Sequence, residues 1–208
     1  MKQCGIDEAG RGPVLGPMVI AMVCADVKDL ESLGVRDSKQ LSPAVRNKMF
    51  RGIMDIADQV EVTIINPPEI NKLMKKISLN EIEYLHYANL IRKASGNIYI
   101  DCFDVLTARA EERFFIETGK KVVCEHKADQ KYASVSSASI IAKVTRDSEI
   151  DKLRNRYGEI GSGYPSDPYT VRFLRKAIRD GRDLSEIVRT QWSTYKRIRS
   201  ESESRILF

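Results

Sequence analysis

Lys2-Gln3-Cys4-Gly5-Ile6-Asp7-Glu8-Ala9-Gly10-Arg11-Gly12-Pro13 stands at the head of this chain, and Pro17-Met18-Val19-Ile20-Ala21-Met22-Val23-Cys24-Ala25 follows shortly after. Residues 2–7 and 17–25 are apolar and rich in β-branched side chains, which reads as two buried strands joined by a Gly/Pro turn. The first strand ends on two adjacent carboxylates, Asp7 and Glu8. Like charges placed together at a strand end repel and desolvate badly unless a cation sits on them. A hard divalent metal resolves the conflict, because Mg²⁺ takes one or two carboxylates and completes its shell with water and phosphate oxygens. The glycines that follow allow close backbone approach, and their bare N–H groups suit a phosphate or a ribose edge. Metal and phosphate together outline a phosphoryl-transfer site.

The rest of the chain alternates strands and helices up to about residue 125 and is almost wholly helical beyond it. Ser42-Pro43 opens a helix whose apolar stripe is Val45, Met49, Ile53 and Ile56. Val60 to Ile65 reads as a third strand stopped by Asn66-Pro67-Pro68. Ser78-x-x-Glu81 is a capping box before a helix that runs to about Gly96, with Ile82, Leu85 and Ile91 on its core face. Asn97 to Asp101 and Lys121 to Cys124 are the fourth and fifth strands, separated by a helix ending near Gly119. A long helix covers about Ala133 to Tyr157. After the break at Gly161-Ser-Gly-Tyr-Pro165, Asp167 and Pro168 start another helix that Gly181 stops. The expected fold class is α/β, with a core over residues 1–160 and a helical, basic region over residues 161–208 packed on it.

At 208 residues the chain can bury a sizeable core. No apolar run approaches the ~20 residues of a membrane span. The motif strand begins at once, leaving no room for a signal peptide. Cys4, Cys24, Cys102 and Cys124 form no C-x-x-C pair and sit in or beside apolar segments. Buried free thiols in a reducing cytoplasm are therefore expected, and a zinc site is not. The net charge of +5 is unevenly spread. From Thr170 to Ser200 nine Lys or Arg face three acids, a surplus of six. A basic region beside an acidic motif fits a polyanion gripped in one place and cut in another.

Two further carboxylates stand where the first pair needs company. Asp101 ends the run Asn97-Ile-Tyr-Ile100, and Asp129 follows the fifth strand. Functional groups of open α/β sheets gather at strand ends, so Asp7, Glu8, Asp101 and Asp129 can converge. Taken singly, Asp101 or Asp129 reads as a helix cap, but capping does not explain an adjacent Asp-Glu pair. Four carboxylates exceed what one Mg²⁺ neutralises and suit two ions about 4 Å apart. Asp104 reads as a helix cap or a support for the site, and His126 as a hydrogen-bonded structural residue.

The stretch from Gly5 through Asp7, Glu8, Gly10, Arg11 and Gly12 to Pro17 resembles the signature of ribonuclease HII, the type 2 ribonuclease H family. The likeness continues in Asp37-Ser-Lys39, Asp101, His126-Lys-Ala-Asp129 and Ser136-Ser-Ala-Ser-Ile-Ile-Ala-Lys143-Val-x-Arg146-Asp147. It extends through Gly161-Ser-Gly-Tyr164-Pro-Ser-Asp-Pro168, and the last two blocks are similar to the archaeal form. The resemblance implies an RNase H-like mixed five-stranded sheet flanked by helices. It also implies an endonuclease of the cytoplasm that cuts the RNA strand of RNA–DNA hybrids, acts on single ribonucleotides in duplex DNA, and takes part in ribonucleotide excision repair. Asp7, Glu8, Asp101 and Asp129 would be the catalytic carboxylates and the ligands of two Mg²⁺ or Mn²⁺ ions. Asp7 would bridge both ions, with Asp129 on the nucleophile side and Glu8 and Asp101 on the leaving-group side. Gly10-Arg11-Gly12 would read the ribose 2′-OH, the group that separates RNA from DNA at one nucleotide. Tyr164 would stack on the next, deoxy sugar. Lys39 and Lys143 would hold phosphates, and Arg146, three residues from Lys143, would share its helix face.

The resemblance implies a monomer with no membrane association. Archaeal members often end in a sliding-clamp peptide, but here Glu201 replaces its Gln, Ser204 its aliphatic residue, and Phe208 is the one terminal aromatic. Clamp binding through this tail is not expected. Two competing readings fit the sequence less well. A nucleotide-binding P-loop is disfavoured because the turn lacks the Gly-Lys-Ser/Thr that ends one. A silent nucleic-acid-binding module leaves four carboxylates without a purpose.

Overall fold

The structure is a computed structural model that describes residues 1–35 and 42–204. Lys39, with Asp37 and Ser38, lies outside the described residues. Five strands form one mixed sheet: β1 (Lys2–Ala9), β2 (Met18–Asp26), β3 (Gln59–Ile65), β4 (Asn97–Asp101) and β5 (Val122–Glu125), in the order β3-β2-β1-β4-β5. β1 is antiparallel to β2 and parallel to β4, and β4 is parallel to β5. Every residue of β2 from Met18 to Ala25 is fully buried, as its continuous apolar run requires of a strand covered on both faces. The helices are α1 (Val27–Ser32), α2 (Pro43–Ile56), α3 (Pro67–Leu73), α4 (Leu79–Lys93), α5 (Thr107–Thr118), α6 (Ala133–Tyr157), α7 (Pro168–Arg179) and α8 (Ser193–Ser204).

The described chain divides into two compact units. The first comprises Met1–Ala9, Val19–Thr63 and Asn80–Thr145; the second comprises Gly10–Met18, Ile64–Leu79 and Arg146–Phe208. In the first unit Val19, Ala21, Val23, Leu30, Ile53, Ile140 and Ile141 share one core. Gly5 decides how α6 lies on β1, since a Cβ there would stand 2.1 Å from the Ser134 carbonyl carbon and 2.2 Å from the Val135 nitrogen. The start of α6 thus rests directly on the strand that carries Asp7. In the second unit Val14, Leu15, Ile150, Ile160, Leu174 and Ile187 form a separate core.

Three expectations change. Asn66-Pro67-Pro68 not only stops β3 but starts α3, because proline lacks the N–H that the first helical turn leaves unpaired anyway. Leu85 is 47% exposed, whereas Tyr84 and Tyr87 are buried; α4 turns its aromatic face inward, toward polar partners described below. Cys4 and Cys24 are not free thiols. They sit opposite each other in the β1–β2 register and are joined as a disulfide, leaving Cys102 and Cys124 free. An antiparallel ladder brings paired positions close enough to bond, a proximity that sequence spacing does not reveal.

Candidate active site

In the first unit, β1 and β4 run side by side in parallel with Ile6 opposite Ile100. The next residue on each strand is a carboxylate, so Asp7 and Asp101 follow the last paired residues of the two inner strands at the same end of the sheet. Asp7 is 5% exposed. Burial, followed by the charges of Glu8 and Asp101, pushes its carboxyl well above the usual carboxylate range. A hydrogen bond from the Ser139 side chain on α6 and one from the Glu8 N–H, at 2.7 Å, oppose that rise without cancelling it. Glu8 accepts from the Tyr87 hydroxyl on α4. Burial and the nearby Glu8 and Asp7 raise the Tyr87 pKa, so the phenol stays protonated and able to donate.

Asp101 accepts from the Ala128 N–H at 3.1 Å. This ties the end of β4 to the short 3₁₀ turn Ala128–Gln130, which carries Asp129. Asp129 is itself buried. Lys127 enters that turn with a φ of 58°, in the left-handed region that non-glycine residues visit rarely. The structure therefore places Asp7, Glu8 and Asp101 within electrostatic reach of one another, and Asp129 within the turn whose Ala128 N–H caps Asp101. Among the described residues no three acidic, histidine or cysteine side chains close into a cage for a cation. The donor set nevertheless fits hard divalent ions, which favour oxygen ligands and keep part of their shell for water and substrate. The repulsion that raises Asp7 is the repulsion such an ion relieves.

A second polar cluster braces this end of the sheet. Asp104 accepts from the Tyr84 hydroxyl at 2.6 Å, from the Leu106 N–H at 3.1 Å and from Arg109. The Arg109 guanidinium, outweighing burial, holds Asp104 down to about 2. It is a structural carboxylate, as expected of a cap or support. His126 is exposed, and its ring nitrogens lie 3.2 Å from the Cys102 carbonyl oxygen and 3.4 Å from that of Val105.

In the second unit the turn Gly10-Arg11-Gly12 is held from within. Gly10 has a φ of 82° and lies against Arg146. Arg189, fully buried, donates to the carbonyl oxygens of Gly10 (2.7 Å), Arg11 (3.0 Å) and Gly16 (2.9 Å). The Trp192 indole donates to the Gly12 carbonyl at 3.0 Å. Tyr164 is 41% exposed, and the Arg146 guanidinium lies 5.3 Å from its ring. The loop that presents Tyr164 is built on Asp167. Burial alone would raise this carboxyl, but the Ser162 N–H (2.6 Å), the Ser162 hydroxyl (2.7 Å) and the Tyr169 N–H (2.9 Å) hold it low.

Lys143 and Arg146 differ from the expectation of one shared surface. Lys143 is exposed, but Arg146 is 5% exposed and donates to the Ser162 carbonyl at 3.3 Å. Arg146 is packed beneath Gly10 and Tyr164 instead of standing in solvent beside Lys143. Sequence reasoning also missed Tyr87, Ser139, Arg189 and Trp192. The pairing of Tyr84 with Tyr87 at helical spacing was a usable signal, whereas Arg189 carries none. Farther on, Arg172, Arg175, Lys176 and Arg179 of α7 line a groove of about 830 Å³ with Ile198, Glu201 and Ser202 of α8. No helix among the described residues is long and apolar enough to cross a membrane.

Comparison with known proteins identifies the family of the chain. The family model described as Ribonuclease HII matches residues 4–195. Ribonuclease HII of Thermoplasma volcanium is 52% identical over 202 residues, covering 97% of this chain and 95% of that protein. The crystal structure of ribonuclease H2 from Pyrococcus horikoshii superposes with a TM-score of 0.90 at 41% identity, over 98% of this chain and 99% of that one. A ribonuclease HII solved in complex with PCNA, from Archaeoglobus fulgidus, gives a TM-score of 0.88 at 42% identity, over 93% and 96%. The mixed five-stranded sheet, the carboxylates at its end and these likenesses lead to one assignment: the chain belongs to the ribonuclease HII family, in its archaeal-like form, and is a metal-dependent nuclease of the ribonuclease H type.

Proposed function

We propose that this protein is an endoribonuclease that cuts the RNA strand of RNA–DNA hybrids. It also nicks duplex DNA on the 5′ side of an embedded ribonucleotide, leaving a 5′-phosphate and a 3′-hydroxyl. The observation that carries the reading is the buried Asp7 carboxyl, on the strand beside the one that ends at Asp101, one residue from Glu8 and three from a glycine turn suited to a ribose edge; burial first, and then Glu8 and Asp101, raise its pKa. Asp7, Glu8, Asp101 and Asp129 would hold two Mg²⁺ or Mn²⁺ ions, which when bound supply Lewis acidity and charge compensation for phosphodiester hydrolysis.

The protein's own groups do the rest. Ser139 and the Glu8 N–H orient the Asp7 carboxylate, Tyr87 orients Glu8, and the Ala128 N–H orients Asp101. Because the attacking group is water, the 2′-hydroxyl stays free to be recognised by Gly10, Arg11 and Gly12. Tyr164 offers an exposed ring for the following deoxy sugar, and Lys143 an exposed cation for a phosphate. Excision of ribonucleotides from DNA in the cytoplasm is the setting this chemistry serves. Glu201 and Ser204 argue against sliding-clamp binding through that tail.

A duplex of DNA containing one ribonucleotide, labelled at its 5′ end, tests the proposal. One metal-dependent nick on the 5′ side of the ribonucleotide, with none in the all-DNA duplex, is expected. Metal-independent cleavage, or products ending in a cyclic phosphate, would overturn it.

A further inference from the structure

Arg189 is among the largest fully buried side chains of the protein, and its guanidinium ends on backbone carbonyls of one turn: Nη2 on Gly10, Nη1 on Arg11 and Nε on Gly16. Trp192, whose ring lies 5.0 Å from that guanidinium, takes the Gly12 carbonyl. The backbone of the same stretch continues the clasp, with Arg189 N–H donating to Val14 and Gly16 N–H donating to Ile187, both at 2.9 Å. The carbonyls of all three residues of the turn are thus held from one side.

A trans peptide points its C=O and its N–H in opposite directions, and this chain has no cis bond among the described residues. Fixing the Gly10 carbonyl therefore aims the Arg11 N–H away from Arg189, and fixing the Arg11 carbonyl aims the Gly12 N–H the same way. The Gly12 carbonyl belongs to the peptide of Pro13, which has no N–H to aim. We infer that Arg189 is the positioning residue for discrimination between ribose and deoxyribose: by holding the Gly10 and Arg11 carbonyls it turns the Arg11 and Gly12 amides together, away from itself, as paired donors for a 2′-hydroxyl oxygen, whereas Trp192 steadies the end of the turn and aims no amide. Neither side chain touches the substrate. The inference rests on the reading of this turn as the 2′-hydroxyl sensor.

Lysine at residue 189 keeps the charge but has a single head in place of the rigid fork that spans three carbonyls. Phenylalanine at residue 192 keeps the ring and loses the N–H. The test measures binding of two duplexes, one all-DNA and one with a single ribonucleotide, by Arg189→Lys and Trp192→Phe proteins. The Asp7→Asn background suppresses cutting, and thermal melting is followed in parallel. The expected result is an affinity ratio between the two duplexes reduced about tenfold or more by Arg189→Lys, with all-DNA affinity near that of the parent, whereas Trp192→Phe, which frees no aimed amide, keeps most of the parental ratio. Should Arg189→Lys not fold, the amide chemical shifts of Arg11 and Gly12 in the Asp7→Asn protein decide: both should move on adding the ribonucleotide duplex and not on adding the all-DNA duplex, and failure of either to do so overturns the inference. A folded Arg189→Lys protein that keeps the parental ratio overturns it as well. A parent that binds both duplexes equally overturns the 2′-hydroxyl reading of the turn, and the inference falls with it. The two failures appear in different proteins or different measurements and are distinguishable.

Discussion

Gly10 lies so close to Arg146 that a Cβ at residue 10 would stand 2.3 Å from Nε and 2.4 Å from Cδ of the arginine. It would also come within 2.8 Å of the Pro17 carbonyl oxygen, on backbone whose φ of 82° suits glycine alone. Gly12 stands in contrast. A Cβ there meets, among the described residues, just the Tyr164 ring edge at 3.8 Å, an ordinary contact. The fold of the turn therefore demands glycine at residue 10, whereas the space around residue 12 does not.

This difference is testable by paired substitution. Gly10→Ala should destabilise the protein by about 1–3 kcal/mol, because left-handed strain and a clash with an immobile side chain add. Gly12→Ala should melt near the parent temperature yet lose at least about tenfold in cleavage, as its methyl meets the incoming ribose. Melting curves and single-turnover rates for the two proteins decide the matter. A fully active Gly12→Ala enzyme would show that no substrate group packs on that residue.

The sheet was legible because each strand announces itself as a short apolar run bounded by Gly, Pro or charge, and all five expected strands are found in the structure. Asp7 and Asp101 were legible as well, since each follows such a run directly. What stayed hidden depends on contacts between distant residues. Arg189 reaches a turn 178 positions away in sequence, and nothing local distinguishes it from the other arginines of a basic region. The periodicity of α4 points to Leu85 as core, but the tyrosines at 84 and 87 win the interior because each hydroxyl finds a carboxylate partner, the buried Asp104 and the half-buried Glu8. Arg146 was read by helix spacing as Lys143's companion. Spacing gives the angle between two side chains and does not say which is covered.

Asp7 yields a pH prediction. Its folded pKa is raised by burial and by the charges of Glu8 and Asp101. A raised carboxyl adds stability below its unfolded pKa and loses it as pH rises through the folded value. The metal-free protein should therefore gain stability on mild acidification from neutral pH through the Asp7 titration. Asp7→Asn should melt higher than the parent at neutral pH and should not cleave. A divalent cation competes with that proton, so raising Mg²⁺ should shift the acidic limb of the cleavage profile to lower pH. An acidic limb that ignores metal concentration would mean that Asp7 is not a ligand.

The basic face of α7 makes a separate prediction. Arg172 stacks 5.5 Å from Tyr169, and Arg175 pairs with Glu201 at 3.1 Å, so neither cation is committed to a buried partner. Replacing Arg172, Arg175 and Arg179 with glutamine should weaken binding to all duplexes alike. It should also flatten the plot of log affinity against log salt by roughly one unit for each phosphate contact removed. An unchanged slope would assign these arginines to solvent and leave the groove beside them without a part in substrate binding.

Tyr164 is held out to solvent by a loop whose carboxylate, Asp167, receives hydrogen bonds from Ser162 and Tyr169. A turn residue with no further task would not need an exposed aromatic ring braced by Arg146 on its inner side. If the ring stacks on the deoxy sugar after the ribonucleotide, Tyr164→Ala should slow cutting at a single embedded ribonucleotide by roughly one to two decades, the worth of a lost stacking contact of about 1–3 kcal/mol. On a long RNA–DNA hybrid, where the next sugar is also ribose, the loss should be smaller. Tyr164→Phe keeps the ring and should retain most of the activity on both substrates. The comparison is made at one metal concentration, under single-turnover conditions, with melting temperatures recorded to exclude unfolding. Equal losses on the two substrates would assign Tyr164 to general binding, and no loss on either would leave it a turn residue before Pro165.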